Sequence, residues 1–167
     1  MFVKADKGTT NNTNDKVMTP ENVAKEIIKL LPLKPLETVL DPFYGKGAFY
    51  ENYPNSVLKS WCEIDKGVDF FEYNIPVKWI ISNPPYSILD AVLKHSFEIA
   101  DNVCYLLPLS KIVSSLGRID KIMNFGGAKH LWILSAGKCG FPFGFPACFI
   151  WIKKDYNGPL VIERLIS

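Results

Sequence analysis

A short apolar run, Trp79-Ile80-Ile81-Ser82, stops against the tetrapeptide Asn83-Pro84-Pro85-Tyr86. The run reads as a buried strand. Two consecutive prolines cannot continue a sheet ladder, and they hold the backbone extended where the strand ends. They also remove two N–H donors and leave carbonyls able to accept. Asn83 adds a side-chain acceptor and Tyr86 an aromatic face. A strand end of this kind suits a site that accepts from an amino group and supports a flat ring. A proline-rich turn capped by an asparagine would use the same residues, so the segments before it must decide.

Those segments form a series of short strands, each ending in polar or glycine residues. Residues Lys4 to Lys16 are polar, and residues 1–16 are expected to form a flexible arm ahead of one domain over 17–167. Thr19-Pro20-Glu21 has the form of a helix start, with Thr19 as N-cap. Val23, Ile27, Leu30 and Leu31 then share a face, and Pro32 ends the helix. Thr38-Val39-Leu40 predicts a strand running into Asp41-Pro42-Phe43-Tyr44-Gly45-Lys46-Gly47, followed by a helix over Ala48 to Asn52. A glycine turn between strand and helix lets a ligand approach the backbone closely. The next strand, Val57 to Cys62, ends in Glu63-Ile64-Asp65, an acidic tip suited to ribose hydroxyls. Asp69-Phe70-Phe71 then sets a carboxylate beside an aromatic ring, which suits a purine and its amine.

Beyond Tyr86 the pattern predicts a helix over Leu89 to Ile99 and a strand over Val103 to Leu107 stopped by Pro108. A helix over Lys111 to Phe125 and strands over His130 to Leu134 and Ala147 to Ile152 follow. Phe141, Phe143 and Phe145 lie in a Gly/Pro loop between the last two strands, where they either line a site, at least one of them, or form a hydrophobic lid over the core. The order is that of an α/β three-layer domain, mostly parallel, with an antiparallel end hairpin. Ligands of such folds sit beyond the carboxyl ends of the strands.

Cys62, Cys104, Cys139 and Cys148 show no metal-ligand spacing and read as reduced core thiols of a cytoplasmic protein. His95 and His130 read as structural, so no metal is expected. Met1-Phe2-Val3-Lys4 leads into polar residues, so no signal peptide is expected, and no apolar run is long enough for a bilayer. From Asn102 to Lys154 stand seven basic residues and one acidic, Asp120; the remainder holds twelve basic and sixteen acidic. That asymmetry suggests one face for a polyanion.

Thr19-Pro20, Asp41-Pro42-x-x-Gly45-x-Gly47, Glu63-Ile64-Asp65, Asp69-Phe70 and Asn83-Pro84-Pro85-Tyr86 together resemble the S-adenosylmethionine-dependent amino-methyltransferases. The similarity is greatest to the N6-adenine DNA methyltransferases of gamma motif order. The resemblance implies a Rossmann-like class I methyltransferase fold and S-adenosylmethionine as cofactor. It implies that Asp41, Gly45 and Gly47, with Thr19, hold the methionine end. Glu63 would bind the ribose, Ile64 and Phe70 would enclose the adenine, and Asp69 would accept from its amine. Asn83 and the carbonyl of Pro84, within the Asn83–Pro84–Pro85–Tyr86 segment, would accept from the target amine. Tyr86 would stack on the target base, with Lys111, Arg118, Lys121 and Lys138 on phosphates and Phe141, Phe143 or Phe145 covering the base.

No separate target-recognition domain, which DNA enzymes of this kind usually carry, is expected. The implied function is therefore adenine N6-methylation of DNA with low sequence selectivity, or with a protein partner reading the target. RNA is the alternative substrate. A catalytically silent subunit that binds nucleic acid or scaffolds a partner is the competing class, and cofactor binding separates it from an enzyme.

Overall fold

Short runs of Val, Leu, Ile and Trp, each bounded by turn residues, build the sheet. In the computed structural model, residues 17–142 and 144–165 are described; the expected arm over 1–16 lies outside them. The strands are β1 (Thr38–Asp41), β2 (Leu58–Trp61), β3 (Val77–Ser82), β4 (Ala100–Pro108), β5 (Gly126–Leu134), β6 (Ala147–Lys154) and β7 (Val161–Arg164). They form one seven-stranded sheet in the order β2-β1-β3-β4-β6-β5-β7. β2, β1, β3 and β4 are parallel, whereas β6 runs antiparallel between β4 and β5. Val39, Leu40, Ile80, Ile81, Val103 and Leu106 are fully buried. Central strands covered on both faces read as continuous apolar runs, and these do. The carboxyl ends of β1, β2 and β3 therefore share one edge of the sheet.

The helices are α1 (Glu21–Ile28), α2 (Leu89–Ile99), α3 (Ser110–Val113) and α4 (Leu116–Phe125). α2 and the central strands fall where the sequence places them, and Val92 and Leu93 are buried as expected. Several elements differ. Thr19 does not cap α1: Pro20 occupies the cap position and no side chain caps the helix. The helix expected over Ala48 to Asn52 is a short 3-10 turn, Tyr50–Asn52. The helix expected over Lys111 to Phe125 breaks after Val113, and Ser115 caps the second piece by accepting from the Arg118 N–H at 3.3 Å. Serine hydroxyls compete for backbone donors and favour such starts. Pro108 does not stop β4 short, because the last strand position pairs with Ala147. β7 pairs in parallel with β5 and was not expected, since its four residues are all exposed and carry no apolar alternation.

All four cysteines are free and buried. His95 lies against the Tyr73 carbonyl at 2.9 Å, and His130 against Glu163 at 2.9 Å. Among the described residues no acidic, histidine or cysteine group could hold a metal ion, and no helix is long and apolar enough to cross a membrane.

Candidate active site

Three loops meet where β1, β2 and β3 end. They enclose a cavity of about 490 Å³ lined by Gly45, Glu63, Ile64, Asp69, Phe70, Asn83 and Pro85 among others. That size lies within the range of about 300–1,000 Å³ common for ligand pockets. Seven of the sequence-derived site residues thus share one wall.

The glycine turn is shaped by its neighbours. Gly45 has φ +53° and Gly47 φ +85°, a region L side chains rarely adopt. A Cβ on Gly47 would lie 2.8 Å from the Tyr44 ring. The Gly45 N–H donates to Glu63 Oε2 at 2.7 Å, so the turn after β1 is tied to the acid after β2. The other Glu63 oxygen accepts from the Asp65 N–H at 3.4 Å. Asp69 Oδ1 accepts from the Phe71 N–H at 2.9 Å, which opens a 3-10 turn and fixes the carboxyl beside Phe70. Phe70 is buried and meets Phe43 edge-on at 5.3 Å. Ile64 is 69% exposed at the rim.

Five of the predicted motif residues, Thr19, Asp41, Gly47, Pro84 and Tyr86, are not among those lining this cavity. Asp41 is not on the cavity wall. It is completely buried behind the turn, where Oδ1 accepts from Ser82 Oγ at 2.6 Å and from the Phe43 N–H at 3.3 Å. Its Oδ2 is buried without a hydrogen-bond partner. Burial pushes its carboxyl up to about 7, against the smaller lowering effect of those hydrogen bonds. Asp41 thus acts on the site through the loop it braces. Thr19, expected at the cofactor, lines a small adjoining cavity with Gly45 and Asn83 and accepts from Asn83 Nδ2 at 3.1 Å. Gly47 shapes the turn from off the wall. Tyr86 does not present an open ring: it is 7% exposed, its hydroxyl donates to Asn83 Oδ1 at 2.8 Å, and the Phe141 ring meets it edge-on at 6.0 Å. Pro84 is buried, while Pro85 lines the cavity.

On the target side, Phe141 is buried, Phe145 is half exposed, and Phe143 lies outside the described residues. The basic stretch does not make one face. Lys153 pairs with Asn102 at the opposite end of β6 from Ala147, and Lys154 pairs with Gly126 there, so these charges lie away from the site edge. Arg118 is 9% exposed, holds Asp90 Oδ2 at 2.8 Å and donates to the Lys111 carbonyl. Lys121 reaches the same Asp90 at 3.4 Å. A buried, paired guanidinium is poorly placed for phosphate.

The sequence reading missed Val17, Met18, Phe43, Phe71 and Ile88 as wall residues. Their signal is weak, because an apolar residue in a loop is as common at a core edge as at a site.

No protein-family profile matches the chain, and no curated protein sequence matches it. Solved structures do. A Listeria monocytogenes protein provisionally described as a class I S-adenosylmethionine-dependent methyltransferase superposes with TM-score 0.74 at 14% identity, over 95% of this chain and 68% of that one. The methyltransferase subunit of a type I restriction-modification system from Streptococcus thermophilus gives 0.64 at 17% identity, over 89% and 47%. A Pyrococcus horikoshii protein provisionally described as an RNA methyltransferase gives 0.61 at 16% identity, over 90% and 93%. The chain thus spans about two thirds of the first and about half of the second. With the strand order above, these likenesses define a Rossmann-like class I methyltransferase fold carrying an antiparallel hairpin.

Proposed function

We propose that this chain is a methyltransferase that binds S-adenosylmethionine and methylates the exocyclic amino group of adenine in nucleic acid. The observation that carries the reading is the placement of Asn83 on the same cavity wall as Gly45, Glu63 and Asp69. The cavity residues fit the cofactor. Glu63, Asp65 and Asp69 bring three carboxylates to the wall against one lysine, Lys66, which suits a cationic sulfonium ligand with a ribose diol. Phe43 and Phe70 supply an apolar side for a purine. S-adenosylmethionine, when bound, supplies an electrophilic methyl group.

The chain's own part is alignment and acceptance. An adenine amine is a poor nucleophile, because its lone pair is delocalised into the ring. An acceptor on its hydrogens favours a tetrahedral nitrogen whose lone pair can meet the methyl group. Asn83 Oδ1 is that acceptor, with the Pro84 carbonyl as the second. A base in a duplex must first be flipped out, which costs a few kcal/mol. Tyr86 is 7% exposed and must be uncovered before it can stack on that base. Glu63→Ala is expected to weaken S-adenosylmethionine binding by about 1–3 kcal/mol, since a ribose hydroxyl pair loses its acceptor. Isothermal calorimetry measures this, and unchanged affinity would remove Glu63 from the ribose role.

The substrate within this reading is DNA methylated with low sequence selectivity, or with a partner protein reading the target. Type I restriction-modification subunits among the fold neighbours favour DNA. The second reading, RNA, is favoured by one observation: the Pyrococcus protein, provisionally described as an RNA methyltransferase, matches over 93% of its length and 90% of this chain. Within this reading Lys111 and Lys138 are the phosphate contacts on the target side. Binding is therefore expected to weaken with salt, and Lys111→Ala should lower the salt slope by about one while affecting all sequences alike. Affinity measured across salt on unrelated DNA and RNA strands tests this, and a flat response would end the nucleic-acid reading. A tritiated-methyl assay on DNA, RNA and protein pools, with nucleoside analysis, tests the function itself. Label recovered only in protein would overturn it.

A further inference from the structure

The Asn83 amide is held from three directions. Its Nδ2 donates to the Val17 carbonyl at 3.1 Å and to Thr19 Oγ1 at 3.1 Å, and its Oδ1 accepts from the Tyr86 hydroxyl at 2.8 Å. A carbonyl oxygen can only accept, so the amide edge facing Val17 must be the NH₂ group. A flipped amide would set Oδ1 against the Val17 carbonyl, two acceptors with no proton between them. The segment from Val17 to Pro20 is itself fixed. The Pro20 carbonyl accepts from Ala24 N–H at 3.1 Å, and Gly140 backs onto it so closely that a Cβ there would lie 3.4 Å from the Met18 carbonyl.

From this we infer that Thr19 and the Val17 carbonyl are positioning groups for the reaction, acting through Asn83, and that the Tyr86 hydroxyl caps its oxygen until a target amine takes its place. This rests on the proposed function and deepens it. Thr19 Oγ1 and Val17 O consume both Nδ2 hydrogens, so Oδ1 stays turned to one side. The capped oxygen is the atom the target amine needs, and the Tyr86 ring it borrows is the one the target base needs. Entry of the base therefore exchanges one hydrogen bond to Asn83 Oδ1 for another. The acceptor is never left bare, which a partly buried amide oxygen would find costly.

Thr19→Val keeps the side-chain shape and deletes the acceptor. It is expected to lower kcat about tenfold while S-adenosylmethionine affinity stays within about twofold, and Thr19→Ser should restore the rate. Hydrogen exchange of the Asn83 side-chain amide, followed by ¹⁵N NMR, should be several times faster in Thr19→Val than in the wild type or Thr19→Ser. Tyr86→Phe removes the cap and should lower KM for the nucleic acid severalfold. A Thr19→Val protein with weakened cofactor binding and unchanged kcat would make Thr19 a cofactor ligand and overturn the inference. Unchanged amide exchange would overturn it as well. A raised KM in Tyr86→Phe would overturn the capping step. If the wild type transfers no methyl group to any nucleic acid, the proposed function fails, and the amide exchange still decides the positioning.

Discussion

Replacing Asn83 with alanine is expected to cut methyl transfer about a hundredfold or more, or about 3 kcal/mol of transition-state stabilisation, while cofactor affinity changes little. The asymmetry follows from where the acceptor acts. Asn83 lines the cavity at the end of β3, but Glu63, Asp65, Lys66, Asp69 and the Gly45 turn line it as well. Removing Asn83 therefore leaves the proposed cofactor partners in place. An acceptor on the target amine counts mainly as the nitrogen becomes tetrahedral, so its loss falls on kcat more than on binding. The substitution also leaves the Tyr86 hydroxyl and the Val17 carbonyl without their partner, which costs roughly 1–3 kcal/mol if neither finds another. A lower Tm is thus expected, and calorimetry with S-adenosylmethionine must show that the variant is folded before the rate is read. Turnover near that of the wild type in a folded, cofactor-binding variant would falsify the assignment of this acceptor.

The parts of the site legible in the sequence are those governed by the backbone. Gly45 and Gly47 stand out because only glycine serves comfortably at their positive φ. Asn83-Pro84-Pro85 stands out because two prolines must end β3. Glu63 and Asp69 are legible because they fall in the segments that follow β2, although each also caps a 3-10 turn. What the sequence hid was pairing between distant segments. Arg118 looked like a phosphate contact until Asp90, on α2, claimed it. Thr19 looked like a helix cap or cofactor contact, and its partner Asn83 lies 64 residues away. Tyr86 looked like an open platform, and Phe141 from another loop covers its edge. Local propensity carries no record of such encounters. The same holds for β7, which owes its place to pairing with β5 rather than to any apolar pattern of its own.

Asp41 supplies the second large effect, and here the measurement is stability against pH. Burial pushes its carboxyl from the ordinary 3.8 up to about 7 in the folded protein, because it penalises the charge more than Ser82 and the Phe43 and Tyr50 N–H groups repay it. Below about pH 4 the group is protonated in both states and its ionisation costs nothing. As pH rises from about 4 to 7, the unfolded chain gives up a proton that the folded chain keeps, so stability is lost across that window. Above about 7 the loss is complete, at about 4 kcal/mol for a raised pKa of this size. Asp41→Asn retains an oxygen for Ser82 and Phe43 but cannot ionise. Its new NH₂ group has no acceptor waiting, since the Oδ2 it replaces has no partner, so at pH 5 the variant should be no more stable than the wild type. Between pH 5 and pH 8 the balance should shift toward the variant by roughly 2–3 kcal/mol, or roughly 5–10 °C in Tm for a domain of this size. Urea unfolding at the two pH values checks it. Parallel pH curves for variant and wild type would mean that Asp41 keeps an ordinary carboxyl and that the brace behind the glycine turn is charged throughout.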